Sequence, residues 1–228
     1  MKRQQYLAGA KAGIPIVFGF VPVAIAFAVM ARQAGFGGGE TVLMSATVFA
    51  GASQIMAAGM FGKGAGIAAI VLATFIMNLR HVIMSTCVFN RMEHASLPLR
   101  LLAAFGLTDE SFGCFTTLEK ERCTVWFFLG LITVTYSSWV GGTALGVLFS
   151  GFLPPVISAS LGIALYALFI GILAPKLGGN LRLVLLVLLA GGMNALLCRV
   201  MDSSWALIAA TLLSAFFGLF FVEDEDLA

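Results

Sequence analysis

Apolar residues run through this chain in blocks of helix-crossing length, separated by short polar turns, rather than alternating or recurring on one face. A helix needs about 20 apolar residues to cross the hydrocarbon, and blocks of that kind lie at 12–31, 41–61, 66–89, 124–149, 156–174, 182–200 and 204–222. Seven transmembrane helices follow from these. An eighth block, 97–117, is apolar through Leu99, Leu101, Leu102, Ala103, Ala104 and Phe105, then meets Thr108, Asp109 and Glu110. It either crosses the membrane or enters and turns back. The pattern thus predicts an all-α fold, a polytopic transmembrane bundle of seven or eight segments forming one domain over 1–228, with no internal repeat evident.

Basic residues orient such a bundle, because lysine and arginine collect in short cytoplasmic loops. With eight crossings and the N-terminus inside, the inner side holds Lys2, Arg3, Lys11, Lys63, Lys120, Arg122, Lys176 and Arg182. The outer side holds Arg32, Arg91, Arg100 and Arg199. Both termini are therefore expected in the cytoplasm, although Arg91 and Arg100 sit awkwardly together in one outer loop.

Composition agrees: 60% of residues are hydrophobic and 11% charged, against roughly 45–50% and about 25% in soluble domains. The net charge of +2, carried by scattered residues, excludes a nucleic-acid surface. The basic N-terminus before the run 12–31 resembles a signal peptide, but the run is longer than an ordinary h-region, so a retained span is expected. Cys87, Cys114, Cys123 and Cys198 lack CxxC spacing and read as small hydrophobes. No HExxH, GxSxG or P-loop is present, and His81 and His94 are the only histidines. Neither an enzyme nor a metal or other cofactor is expected.

Breakers mark some spans. Pro15 and Pro22 fall in the first, and 49–54 reads FAGASQ in the middle of the second, where the helix should be interrupted near residues 50–54. Gly142 with Gly146, and Ser214 with Gly218, are small-residue pairs suited to close helix packing. Asn194, beside Gly191 and Gly192, suits packing or solute contact.

Polar groups inside apolar spans carry the functional reading. Thr74, Asn78, His81 and Ser85 recur at steps of four, three and four on one helical face, with Arg80 pointing elsewhere. A charge at the centre of a span costs about 2.5–3.5 kcal/mol on insertion scales and needs a partner. Asp109 and Glu110 are the acids available to Arg80. Pairing explains them either as a lock on the bundle or as part of a solute path. In the second span, Ser53 and Gln54 follow Gly51, so a helix break there offers free amides beside a side-chain amide. An interhelical hydrogen bond from Gln54 is the plainer alternative.

VFAGASQ at 48–54, NLRH at 78–81 and LTDE at 107–110, in this order and spacing, resemble the AzlC-type branched-chain amino-acid permeases. The resemblance implies ion-driven export of valine, leucine or isoleucine across a bacterial inner membrane, together with a small AzlD-type membrane subunit. It places interest on Gln54, Asn78, Arg80, His81, Asp109 and Glu110. On this reading Ser53, Gln54, Asn78 and His81 bind the amino acid, and Arg80, Asp109 and Glu110 gate or couple. Ile55 departs from the family pattern, in which an aromatic residue often follows the glutamine. A membrane subunit that binds a partner helix without transporting, and a transporter of another small amphiphile, are the competing readings.

Overall fold

The computed structural model describes residues 2–92, 95–151, 170, 174 and 177–221, and every regular element among them is helical. The all-α expectation holds. The block 156–174, save Ile170 and Ala174, lies outside the described residues, as does His94. α1 spans Lys2–Gln33 and runs on through Pro15 and Pro22. Ile67–Arg91 is a second long helix, in two parts, α4 (Ile67–Asn78) and α5 (Arg80–Arg91), joined at Leu79. A third, α8, spans Val125–Phe149, and its 25 residues rise about 37 Å, enough to cross a bilayer core.

α1 and α8 lie side by side and run in the same direction. Gly9 faces Phe127, Gly13 faces Leu131 and Val134, Gly142 faces Val21 and Ala24, and Gly146 faces Ile25 and Ala28. A Cβ on Gly9 would overlap the Phe127 carbonyl, and one on Gly130 the Tyr6 carbonyl. The backbones therefore touch, as the Gly142/Gly146 pair leads one to expect. The Lys2 ammonium stands 5.3 Å over the Trp126 ring, where both helices begin.

Between them, the second apolar block does not cross. α2 (Gly38–Val48) starts beside the end of α8, with Gly38 against Val147, and follows α8 backwards. Ser45 Oγ lies 2.8 Å from Thr143 Oγ1, and the Ala46 carbonyl accepts from Tyr136 Oη at 2.9 Å. Phe49 then turns left-handed (φ 45°, ψ 42°), and α3 (Gly51–Gly62) retraces the path. Gln54 returns to the level of Ser45, the Phe61 ring stops 4.7 Å from Phe36, and Gly62 packs on Ala34. The expected interruption near 50–54 is present, but the block enters and leaves at one end of the bundle. The physical reason is where the break falls: arms of 11 and 12 residues rise only about 17 Å each, half the hydrocarbon thickness.

The block 97–117 is a matching hairpin from the opposite end. α6 (Leu97–Phe105) starts where Arg100 covers the Phe89 ring at 4.8 Å and ends with Phe105 beside Tyr136. The turn 106–108 is fixed by reciprocal bonds in which Thr108 N–H donates to Ser111 Oγ (2.8 Å) and Ser111 N–H to Thr108 Oγ1 (3.2 Å). α7 (Asp109–Thr116) then comes back to pack Phe115 on Phe128, and Arg91 Nη2 donates to the Leu118 carbonyl at 2.8 Å. Of the two alternatives, this block turns back.

The hairpins redistribute the charges. Of the basic residues flanking α1 to α8, Lys2, Arg3, Lys11, Arg91, Arg100, Lys120 and Arg122 gather at the end where α1 and α8 begin, leaving Arg32 and Lys63 at the other. Lys63 thus leaves the side predicted for it, and the awkward Arg91 and Arg100 join the basic side. α9 (Leu181–Leu197) and α10 (Ser203–Phe221) form a pair in which Gly218 meets Leu186, and Ile208 packs on Ala69, Ala73 and Met60. Asn194 sits in this pair with Cys198, away from the hairpins.

Candidate functional site

Halfway along α8 the two hairpin tips meet, with Phe49 5.1 Å from Tyr136 and 6.4 Å from Phe105, ring centre to ring centre. Beside them lies a cavity of about 590 Å³, mouth included. Its lining combines apolar side chains, Phe20, Val23, Phe49, Ile55 and Trp139, with polar ones, Arg80, His81, Thr108, Asp109 and Glu110. The first turns of α3 (Gly51, Ala52) and α7 (Asp109, Glu110) open onto it from opposite hairpins. First-turn amides lack intrahelical acceptors and carry the positive end of the helix dipole, so both tips favour a negative group.

Arg80 Nη1 lies 2.8 Å from Asp109 Oδ2, the pairing the charges demand, and more than a third of each side chain remains exposed (39% and 36%). The ion pair therefore lines the cavity instead of being sealed behind it. Arg80 Nε is buried and has no hydrogen-bond partner among the described residues. Arg80 and His81 both reach the cavity, although the helical pattern had them pointing apart. His81 Nδ1 lies 3.2 Å from the Asn78 carbonyl, and Ser85 Oγ donates to the His81 carbonyl at 2.6 Å. Asn78 and His81 share a second cavity across Phe49, whereas Thr74 and Ser85 line neither.

Ser53 and Gln54 stand behind the wall. Ser53 Oγ donates to the Ala50 carbonyl (3.0 Å) and accepts from Asn78 Nδ2 (3.0 Å), tying the first hairpin to α4. Gln54 is fully buried. Its Oε1 accepts from Trp139 Nε1 (3.1 Å) and Ala50 N–H (3.2 Å), and its Nε2 donates to Ser45 Oγ (3.1 Å). Of the two readings open for Gln54, the geometry carries the interhelical hydrogen bond. Gln54→Ala leaves Trp139 Nε1 and the Ala50 N–H without their acceptor, each worth about 1–3 kcal/mol, while Ser45 keeps Thr143. The expected result is a lower melting temperature of the purified protein in detergent; an unchanged one would return Gln54 to the role of a solute contact.

The sequence did not point to Trp139, Phe20, Val23 or Thr108. Trp139 is 4% exposed and meets Phe20 edge-to-face at 5.5 Å, and an indole needing a buried acceptor in mid-span was the available signal. Among the described residues no group of three metal-binding side chains occurs.

This is a helical membrane protein with a cavity where two broken segments meet. Residues 15–153, from α1 to just past α8, match the AzlC protein family, and the chain belongs to that family. It is 40% identical over 148 residues to an uncharacterized membrane protein of Archaeoglobus fulgidus, covering 64% of each chain. It is 34% identical to the inner membrane protein YgaZ of Escherichia coli, over 69% of this chain and 67% of that one. The branched-chain amino acid transport protein AzlC of Bacillus subtilis is 26% identical, over 61% of this chain and 56% of its own. No solved structure matches.

Proposed function

We propose that the protein is a secondary transporter that exports branched-chain amino acids, driven by an ion gradient and assisted by a small AzlD-type membrane subunit. The observation that carries this reading is the cavity at the hairpin tips, whose lining is divided between apolar and charged side chains. A zwitterion with an aliphatic side chain fits that division. Its carboxylate meets Arg80 and the first-turn amides of α3, its ammonium meets Asp109 or Glu110, and its side chain lies against Phe20, Val23, Ile55 and Trp139. His81 borders the bound solute, while Ser53, Gln54 and Asn78 hold the first hairpin in place. Exchange of Arg80 between Asp109 and the substrate carboxylate gives the pair its gating role. The name of the Bacillus subtilis relative supports the substrate class, and the basic end of the bundle supports cytoplasmic termini in a bacterial inner membrane.

The test is flux. Reconstituted protein should move labelled leucine, valine or isoleucine down an imposed gradient, with a larger rate when the small subunit is present. Leucine entering no faster than in empty liposomes, with and without that subunit, would sink the proposal.

A further inference from the structure

The three long helices end at Gln33, Arg91 and Phe149, which are 58 residues apart each time (33 to 91, 91 to 149). Ile67 and Val125, the starts of α4 and α8, are separated by the same 58 (67 to 125), and so are Gly51 and Asp109 (51 to 109), which open the returning arms of the hairpins. The match extends to a single hydrogen bond. Ser53 and Ser111, again 58 apart (53 to 111), each stand third in their helix and donate to the residue capping it, Ala50 at 3.0 Å and Thr108 at 3.1 Å. Phe20 and Val23, Asn78 and His81, Tyr136 and Trp139 recur at the same interval (20, 78, 136) and surround the hairpin tips.

Each hairpin returns from the end where its preceding long helix finishes, and α4–α5 runs opposite to α1 and α8. We infer that 9–66 and 67–124 are two copies of one unit inserted in opposite senses and closed by α8, with their hairpin tips as opposed gates on one solute path.

The two tips are caught in different conformations. Phe49 at the first tip is left-handed (φ 45°), whereas its counterpart 58 residues on, Leu107 (49 to 107), is not. A left-handed bulky residue is strained. Phe49 and Ala50, with His81, form the shared wall between the central cavity and the second one. Exchange of conformation between the tips, Phe49 relaxing as the turn at Gly106 and Leu107 rearranges, opens that wall and makes the second cavity the far half of the path. The inverted copies make the two end states related by a near two-fold rotation in the membrane plane, the symmetry on which inverted-repeat transporters build alternating access.

The path rests on the proposed transport function; the duplication does not, so two readouts are needed, both in a variant with Cys87, Cys114, Cys123 and Cys198 replaced by serine. With a membrane-impermeant thiol reagent, Lys63→Cys should label from one face and Arg100→Cys from the other. Labelling from the same face overturns the inverted hairpins, whatever the substrate. Next, Phe49→Cys with Phe105→Cys is bridged by a short, reducible bifunctional reagent. Leucine counterflow should fall at least tenfold and return on reduction. Full counterflow after complete bridging overturns the gates. If the unbridged pair carries no leucine, Ala52→Cys in the central cavity and Ala104→Cys in the second are read instead. They should label from opposite faces, and labelling of both from one face overturns the gates. Opposite-face labelling with no leucine flux in the parent protein keeps the gates and removes the substrate.

Discussion

Arg80→Ala is expected to lower folded protein in the membrane about tenfold, because it strands Asp109 in mid-bilayer. A lone charge there costs about 2.5–3.5 kcal/mol, part of which the cavity's water offsets since the pair is partly exposed. A remainder of about 1.4 kcal/mol is the tenfold. Asp109→Ala strands Arg80 and should act similarly. The double variant Arg80→Ala with Asp109→Ala removes both charges, and abundance should recover beyond the product of the single losses, a coupling of about 0.5–3 kcal/mol. Fluorescence-detected size-exclusion profiles report abundance, and leucine counterflow reports activity. Recovered abundance with silent flux assigns the pair to transport as well as folding. Strictly additive losses would remove the pair as an energetic unit.

The other large effect belongs to the seam between α1 and α8. A methyl on Gly130 falls on the Tyr6 carbonyl, and backbone cannot swing aside as a side chain does. Gly130→Ala must push the helices apart along contacts that extend from Gly9 to Gly146. Overpacking of this kind costs about 1–3 kcal/mol, so the melting midpoint in detergent should drop by roughly 5–10 °C. Gly141, on the same helix with nothing within 4 Å of its absent side chain, supplies the comparison. Gly141→Ala should melt as the parent does. Equal effects at the two positions would mean that helix propensity, and not the seam, is being measured.

Much of this fold was legible because hydropathy reports burial in lipid directly. The long helices fell close to the predicted blocks, and FAGASQ announced its own break. What hydropathy lacks is direction: an apolar stretch of 21 residues reads alike whether it crosses or doubles back. Only contacts such as Gly62 on Ala34 tell the two apart. Turning back both 41–61 and 97–117, where the eight-crossing count has each cross, leaves α8 pointing as that count has it, since the two reversals cancel, and the awkward Arg91 and Arg100 were the visible symptom. At the site, Arg80 and Asp109 could be paired from charge alone because mid-membrane charges have few options. Gln54 was harder. An amide in a span signals a hydrogen bond without saying whether protein or solute completes it, and here Trp139, 85 residues away in sequence, decides. The regular interval was hidden because few side chains repeat; what recurs is the spacing of helix ends and one serine.

The glycine seam also apportions mechanical roles. Helices in backbone contact slide or part only by losing that contact along its whole length, so α1 and α8 behave as one double-width beam. The hairpins are fastened otherwise, through single side-chain bonds such as Tyr136 to Ala46 and Asn78 to Ser53, which break and re-form one at a time. Compliance in this molecule is thus concentrated in the two inserted loops and stiffness in the frame. Hydrogen exchange should divide the chain along the same line, slow in α1 and α8 and fast from Phe49 to Ser53 and from Gly106 to Ser111.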